Sequence, residues 1–283
     1  MRLAYSISAY KLPGQFRWLM DAIWHPDDVY AVHVDAKTPP EVLAAFEAAA
    51  AGRPNVRFIA REPVVWMGQG LVNAELRAIG ELLRMAPDFG HLIALSGQDY
   101  PLKPRHEIAA ALASTPDLNY VRLDPLRDLP FHVRRRPYLF SFEHGGRLVK
   151  TPLPRPIPRG LKIAWKGSWW RVLSRDFCAW LTDAPETKAY WRFLKNVQAP
   201  DELFFQNLLM ASPFRDRVVP QGRHFVLWPG DSGSPLTLGT AHEAAMLASG
   251  QWYARKFDAT VDADILARLA ARIGAPAPRR KAA

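Results

Sequence analysis

The sequence predicts an α/β fold, a Rossmann-type sheet with helices on both faces, and three observations predict it. Short β-like runs alternate with helical ones through the first hundred residues, the order that parallel sheets with crossover helices require. The strand runs read as buried and end in polar turns, which is where ligands sit in sheets of this kind. The chain is also long and apolar enough, 283 residues and 49% hydrophobic, to bury one large core.

Taken in order, "LAYSISA" (Leu3–Ala9) is the first strand and "GQFRWLMDAIW" (Gly14–Trp24) the first helix, with apolar residues at helical spacing. "DVYAVHVD" (Asp28–Asp35) is a strand, and "PPEVLAAFEAAAA" (Pro39–Ala51) a helix opened by Pro and Glu. "NVRFIA" (Asn55–Ala60), "QGLVNAELRAIGELLRMA" (Gln69–Ala86) and "HLIALSG" (His91–Gly97) continue as strand, long helix and strand. The middle, Val121–Ser174, is rich in Pro, Arg and aromatics and weak in helical periodicity. Irregular loops and a β-ribbon are expected there, in a segment too long for a plain connector. Helices follow near Arg175–Thr182, Glu186–Asn196 and Asp201–Ala211, then short strands at Arg217–Val219 and His224–Leu227. Helices around Ala241–Ala248 and Val261–Ile273 precede "APAPRRKAA", read as a frayed basic tail.

The formal charge of +10, from 37 Lys and Arg against 27 Asp and Glu, favours anionic partners: nucleic acid, a membrane surface or phosphorylated small molecules. Nucleic acid is set aside, because the basic excess is scattered and no binding motif accompanies it. A Ser/His/Asp hydrolase is set aside for want of a G-x-S-x-G elbow. The single cysteine, Cys178, rules out a disulfide within the chain and suits a reducing compartment. No run of 18 apolar residues occurs, and "MRLAYSISAY" reads as a strand rather than a signal peptide. A cytoplasmic protein is expected, its basic segments able to rest peripherally on the anionic inner membrane surface.

Several residues could carry chemistry. Asp35 closes an early strand, where an acid can bind a base or ribose, or simply cap the turn. "LSGQDYPLKP" brings Ser96, Gln98 and Asp99 to another strand end, either a site or a Pro-stiffened loop. Arg255 and Lys256 of "WYARKFD" could meet an anionic leaving group, and the amides of "MGQG" (Met67–Gly70) or "WPGDSGS" (Trp228–Ser234) could cradle phosphate. Six tryptophans of the second half, Trp165, Trp169, Trp170, Trp191, Trp228 and Trp252, offer ring faces to sugars or to the core. In "QAPDELFFQNLLMASPF" two acids, Asp201 and Glu202, precede an apolar helix. They could cap its dipole, or Glu202 could be a general base held at a rigid helix end.

Together and in this order, six blocks resemble the core-2/I-branching β-1,6-N-acetylglucosaminyltransferase family, which includes the peptide O-xylosyltransferases (glycosyltransferase family 14). They are "AYSISAYKLPGQFRWLMDAIWHPDDVYAVHVDAK", "VVWMGQGLVNAELRAI", "LIALSGQDYPLKP", "KGSWWRVLSRDFCAWL", "APDELFFQNLLMASPF" and "WYARKFD". The resemblance implies a GT-A-like fold: a nucleotide-binding sheet, an irregular acceptor-side β-ribbon and C-terminal helices. It divides one domain, 1–274, into a nucleotide-sugar half (1–120) and an acceptor and catalytic half (121–274), with 275–283 as the basic tail. It implies inverting transfer of a sugar, GlcNAc first and xylose as the alternative, from a UDP donor to a glycan hydroxyl. Glu202 falls on the family's base and Lys256 on a diphosphate-binding lysine, with Arg255 or Arg223 as the paired arginine. Asp35, Ser96 and Asp99 join Lys256 as UDP-site candidates, while Asp124, Arg136, Trp228 and Asp201 are acceptor-side candidates.

GT-A transferases commonly carry an Asp-x-Asp at the turn that here holds only Asp99 after Gln98; the sole Asp-x-Asp, Asp262–Asp264, fits a helix cap. Neither a metal nor another cofactor is therefore expected. Eukaryotic members are disulfide-linked and membrane-anchored, whereas this chain looks like a bacterial relative acting on a polysaccharide or lipid-linked oligosaccharide. The reading from another class is a non-catalytic nucleotide- or carbohydrate-binding protein on the same fold. Oligomeric state is left open.

Overall fold

The computed structural model describes residues 1–230 and 233–278. Three strand–helix units open the chain: β1 (Leu3–Ala9) and α1 (Pro13–Ile23), β2 (Val29–Val34) and α2 (Pro40–Ala49), β3 (Val56–Phe58) and α3 (Gly70–Met85). Then come β4 (His91–Ser96), β5 (Tyr100–Pro101), α4 (Arg105–Ala113), β6 (Asn119–Val121) and β7 (Asp124–Pro125). The aromatic, Arg-rich middle holds the short helix α5 (Phe131–Arg134), a hairpin of β8 (Leu139–His144) and β9 (Arg147–Pro154), and β10 (Trp165–Lys166). β11 (Arg171–Ser174), α6 (Arg175–Asp183), α7 (Pro185–Leu194), α8 (Phe204–Ala211), β12 (Val218–Val219) and β13 (His224–Val226) follow. The last described elements are α9 (Glu243–Ala248), β14 (Tyr253–Arg255) and α10 (Asp264–Ile273).

The central sheet runs β12-β6-β11-β4-β1-β2-β3. Its pairings are parallel except at β11, which is antiparallel to both β4 and β6. The strands of the first hundred residues pair in parallel as expected, and the antiparallel strand from beyond them matters for the site. An antiparallel strand enters the sheet at the edge where its parallel neighbours end, so the residues just before β11 are delivered to the carboxyl ends of β1 and β4. The two sequence halves are thus joined in one sheet, since β11 and β12 come from beyond residue 120.

Alternate residues of each strand serve opposite faces. In β1, Ala4 packs with α3 residues Val72, Ile79 and Leu82 and with Phe177, Phe204 and Leu208, while Leu3, Tyr5 and Ile7 pack with Phe16, Leu19 and Met20 of α1. Both faces are covered, which is why the strand reads as one apolar run. A third cluster joins Tyr100, Leu238, Phe257 and α10 residues Ile265, Leu266 and Leu269. It anchors the side sheet β13-β14-β5 beside the carboxyl edge. Asp262 accepts from the amides of Asp264 and Ile265 at 3.0 and 3.1 Å, so the Asp-x-Asp is a helix cap as read from the sequence. Among the described residues, no helix is long and apolar enough to cross a membrane. The predicted basic tail lies outside them from residue 279 onward.

Candidate active site

Two carboxylate clusters occupy the carboxyl edge of the sheet. The first grows from the β4–β5 turn. Gly97 lets this turn lie against β1: its amide donates to the Ser8 carbonyl at 2.9 Å. Asp99 then folds back on the strand end, accepting from the Ser96 amide and hydroxyl at 2.7 Å each. Trp170 Nε1, just before β11, donates to the same carboxylate at 2.8 Å, and Arg255 Nε at the end of β14 donates at 3.2 Å. The Arg255 guanidinium lies 3.4 Å from the centroid of the Trp170 ring. Asp99 is 0% exposed. Burial raises its pKa, while Arg255 and the Ser96 donors oppose the rise. His224 sits 3.9 Å away and stacks on Tyr253; burial and then Arg255 push it down to about 3, so it is neutral.

This geometry bears on two expectations. Arg255, read as a UDP-site candidate, gives its Nε to Asp99 and lays its guanidinium on Trp170. Asp99 and Ser96 spend their polar groups on one another and on Arg255, and Asp99 offers no exposed oxygen to a nucleotide. Lys256, the next residue, donates from its Nζ to Ser234 Oγ at 2.6 Å. Its pKa is lowered by partial burial, then by Arg255 and Lys11. Lys11 follows β1 and pairs with Asp258 at 3.1 Å, and it adds a second cation to Arg255 in the field of Lys256. Arg223, the other arginine considered, packs over Tyr120 and Trp252 at 4.5 and 4.8 Å. Asp35, partly buried at the end of β2, accepts from the Lys37 and Val64 amides at 2.9 and 3.3 Å and pairs with Lys37 at 3.2 Å. It serves as a turn cap with one edge still accessible.

The second cluster surrounds Glu202. Ala199, at φ 55°, turns the chain into a single 3-10 turn, Pro200–Glu202, and α8 begins only at Phe204 after Leu203 leaves helical geometry. The acids therefore do not cap α8. The Glu202 carbonyl accepts from the Gly167 amide at 2.8 Å. Gly167 must lack a side chain, because a Cβ would overlap the Arg122 carbonyl oxygen. Glu202 Oε2 lies 3.2 Å from Arg136 Nη1 and 3.2 Å from Lys166 Nζ, with the Glu202 side chain 24% exposed. Lys166 is placed by the β7–β10 ribbon, where it is the register partner of Asp124. Asp124 in turn pairs with Arg122 at 2.8 Å. Glu202, Arg136 and Asp124 are thus brought into one corner. Trp228, another acceptor-side candidate, stands 47% exposed just beyond β13.

Asp201 behaves differently from its neighbour. Burial, and then the charge of Glu202, push its carboxyl up to about 7, against the pull of Arg171 and Lys166. The expectation that a helix dipole would stabilise the charged form fails here, because the helix starts two residues later. Below the turn, Arg171 on β11 and Glu75 on α3 form a fully buried pair at 3.5 Å. Glu75 also accepts from Ser6 Oγ at 3.1 Å, and Arg171 donates to the Trp169 carbonyl at 2.7 Å and lies 3.6 Å from the Phe205 ring centroid.

Sequence reasoning passed over Lys166, Arg171, Glu75 and Lys11 as site residues, and offered Trp170 as a sugar or core ring rather than as the Asp99 donor it is. Two of them were visible: Glu75 falls on the apolar stripe Val72–Ile79–Leu82 of α3, and Arg171 interrupts the apolar strand "WWRVLS". A charge on a buried stripe requires a buried partner. The "MGQG" turn does meet an anion, but one of the protein's own: the Gln69 amide donates to Glu143 Oε1 at 2.7 Å. The "WPGDSGS" turn falls partly outside the described residues. Among the described residues, no cluster of three His, Cys, Asp or Glu side chains could hold a metal ion.

A mostly parallel sheet of order 3-2-1-4 extended through one antiparallel strand, with carboxylates and cations gathered at its carboxyl edge, defines a GT-A-like nucleotide-sugar-binding fold. The family described as "Core-2/I-Branching enzyme" matches residues 3–246, and the chain belongs to that family. It is 26% identical over 291 residues to a zebrafish (Danio rerio) protein named beta-1,3-galactosyl-O-glycosyl-glycoprotein beta-1,6-N-acetylglucosaminyltransferase 4, covering 93% of this chain and 68% of that one. The mouse (Mus musculus) protein of the same name is 27% identical, covering 96% and 65%. The chain thus spans about two thirds of the length of these relatives. Among solved structures, one described as a glucose-1-phosphate thymidylyltransferase from Bacillus anthracis is 7% identical with a TM-score of 0.36, over 69% of this chain and 83% of that one. It is too distant to bear on the argument.

Proposed function

We propose that the chain is an inverting glycosyltransferase that moves a sugar, GlcNAc in the first instance, from a UDP donor to a hydroxyl of a glycan or lipid-linked oligosaccharide. The observation that carries this reading is the Glu202 carboxylate, fixed by Arg136 and Lys166 at 3.2 Å each in a chain of this family. Both cations sit on Oε2, so Oε1 is left to accept a proton from the acceptor hydroxyl. The acceptor oxygen attacks the anomeric carbon as the bond from that carbon to the diphosphate oxygen breaks, and the new linkage forms on the opposite face. The proton passes to Glu202, and positioned proton transfer of this kind contributes roughly 10²–10⁴-fold.

The negative charge that builds on the leaving diphosphate falls to Lys256, with Lys11 beside it. Arg255 contributes from below: paired with Asp99 and stacked on Trp170, it fixes the end of β14 from which Lys256 projects. Preorganised cations stabilise developing charge without reorganising during the reaction, and this supports transfer without a divalent metal. Thermal shift with UDP, UDP-GlcNAc, UDP-xylose, UDP-glucose and UDP-galactose, each in EDTA and in Mn²⁺, tests the donor side. A ligand at 100 times its dissociation constant adds about 2.7 kcal/mol. Stabilisation in EDTA, greatest with one sugar nucleotide, is the expected result. No response to any uridine nucleotide sinks the transferase reading, and a response that requires Mn²⁺ sinks the metal-free part of it.

A further inference from the structure

Beside the Glu202 corner lies a cleft of about 570 Å³ between the β7–β10 ribbon and α5, within the size range of small-ligand sites, roughly 300–1,000 Å³. Phe131, Tyr138 and Trp165 supply ring faces to its walls, and Arg127, Arg134 and Arg135 supply guanidinium groups. Among the described residues, none that lines it is acidic. Arg134 and Arg135 lie 5.9 and 5.6 Å from the Phe131 ring centroid, which holds both cations over the aromatic wall. Asp128, the neighbour of Arg127, meets it at 3.6 Å with both side chains largely exposed, a pairing that neutralises little.

The cleft and the corner share the β7–β10 ribbon and the turn after α5. Pro125, Arg135 and Trp165 line the cleft, while their chain neighbours Asp124, Arg136 and Lys166 belong to the Glu202 cluster. Successive strand residues face opposite sides, so a glycan that reaches both rounds the edge of this two-residue ribbon, one sugar in the cleft and its neighbour toward Glu202. Ring faces suit the C–H surfaces of a sugar, and a guanidinium matches a carboxylate or sulfate in bidentate geometry. We infer that this cleft binds an acidic sugar of the acceptor glycan, a uronate or sulfated residue next to the one that receives the transferred sugar. The inference rests on the transferase reading above and deepens it by stating the charge of the acceptor.

The test uses the full chain and isothermal titration at physiological ionic strength. The probes are a glucuronate–N-acetylglucosamine tetrasaccharide, tetragalacturonate and a sulfated galactan tetrasaccharide, each against its carboxyl-reduced or desulfated counterpart. At least one anionic probe is expected to bind about tenfold more tightly than its neutral counterpart, roughly the gain of one or two charge-assisted contacts. That preference should fall below about threefold in Arg134→Gln/Arg135→Gln, and binding of either form should weaken in Phe131→Ser. Melting temperature and UDP response should not change in these variants of exposed residues. No anionic preference in the wild type, or a preference that survives the double variant, overturns the inference. So does the pattern in which the arginines support binding only to phosphatidylglycerol vesicles and to no saccharide, which would make the face a membrane contact. Failure of the transferase reading is separate, because it shows as loss of the uridine-nucleotide response with saccharide binding intact.

Discussion

The Glu202 and Asp99 clusters are built from the same parts, a carboxylate with cations about 3.2 Å away, and they do opposite things. Asp99 is fully covered, accepts from Ser96, Trp170 and Arg255, and ties the ends of β4, β11 and β14 together. Glu202 remains 24% exposed, with both its cations on a single oxygen. A buried pair that loses one partner leaves an uncompensated charge, whereas a pair open to solvent can exchange a partner for a ligand. The difference assigns architecture to one cluster and chemistry to the other, although the residue types alone do not distinguish them.

Four variants sharpen or break that contrast. Glu202→Gln keeps the shape and removes the base, so transfer should fall by about 10²–10⁴ with UDP stabilisation and melting unchanged; near-normal turnover in a coupled assay of UDP release would reduce Glu202 to a structural role. Asp99→Asn should show the reverse pattern. Leaving Arg255 buried without its counter-charge costs roughly 3–5 kcal/mol of folding stability, read from a urea midpoint, and a loss under 1 kcal/mol would break the contrast. Lys166→Met removes one of the two cations that hold Glu202 in place. Turnover is expected to drop by about tenfold, a barrier change near 1.4 kcal/mol, while the urea midpoint moves little; an unaltered rate would show that Arg136 suffices.

The last effect concerns Asp201 and is read only against pH. Its folded pKa, about 7, lies above the ordinary carboxylate value near 3.9, so the folded protein holds more protons than the unfolded chain between about pH 4 and 7. Stability therefore falls as pH rises through that window, by at most about 1.4 kcal/mol per unit from this group. Asp201→Asn should flatten that part of the pH–stability curve. An identical slope in both proteins would contradict the assignment.

Much of the fold was legible in the sequence because its signals are local. The strands from β1 to β4 and the helices between them announce themselves by apolar runs, periodicity and Pro–Glu starts. The helix α4 and the short strands β5, β11 and β14 were not read, and β11 is too short and too mixed in "RVLS" to carry a period. "PDE" was legible as a site and not as a shape: a 3-10 turn differs from a helix start only through Ala199 and Leu203, whose backbone angles are fixed by contacts elsewhere. Lys166 heads the "KGSWW" block, and nothing local marks it as a Glu202 partner, since the residues are 36 positions apart and meet through a two-residue ribbon.

By itself the sequence determined the class of the fold, the family to which the chain belongs, and the identity of Glu202 and Lys256 as residues to examine. Those depend on residue order, which the chain carries in full. Only the tertiary structure decided how two adjacent cations divide their partners. Arg255 closes β14 and meets Asp99, whereas Lys256 lies beyond the strand and meets Ser234. It also decided that β11 runs against its neighbours, and so brings Lys166 and Trp170 to the carboxyl edge. Direction and side are relations between segments distant in the chain, set by what each buries against the other, and no local pattern encodes them.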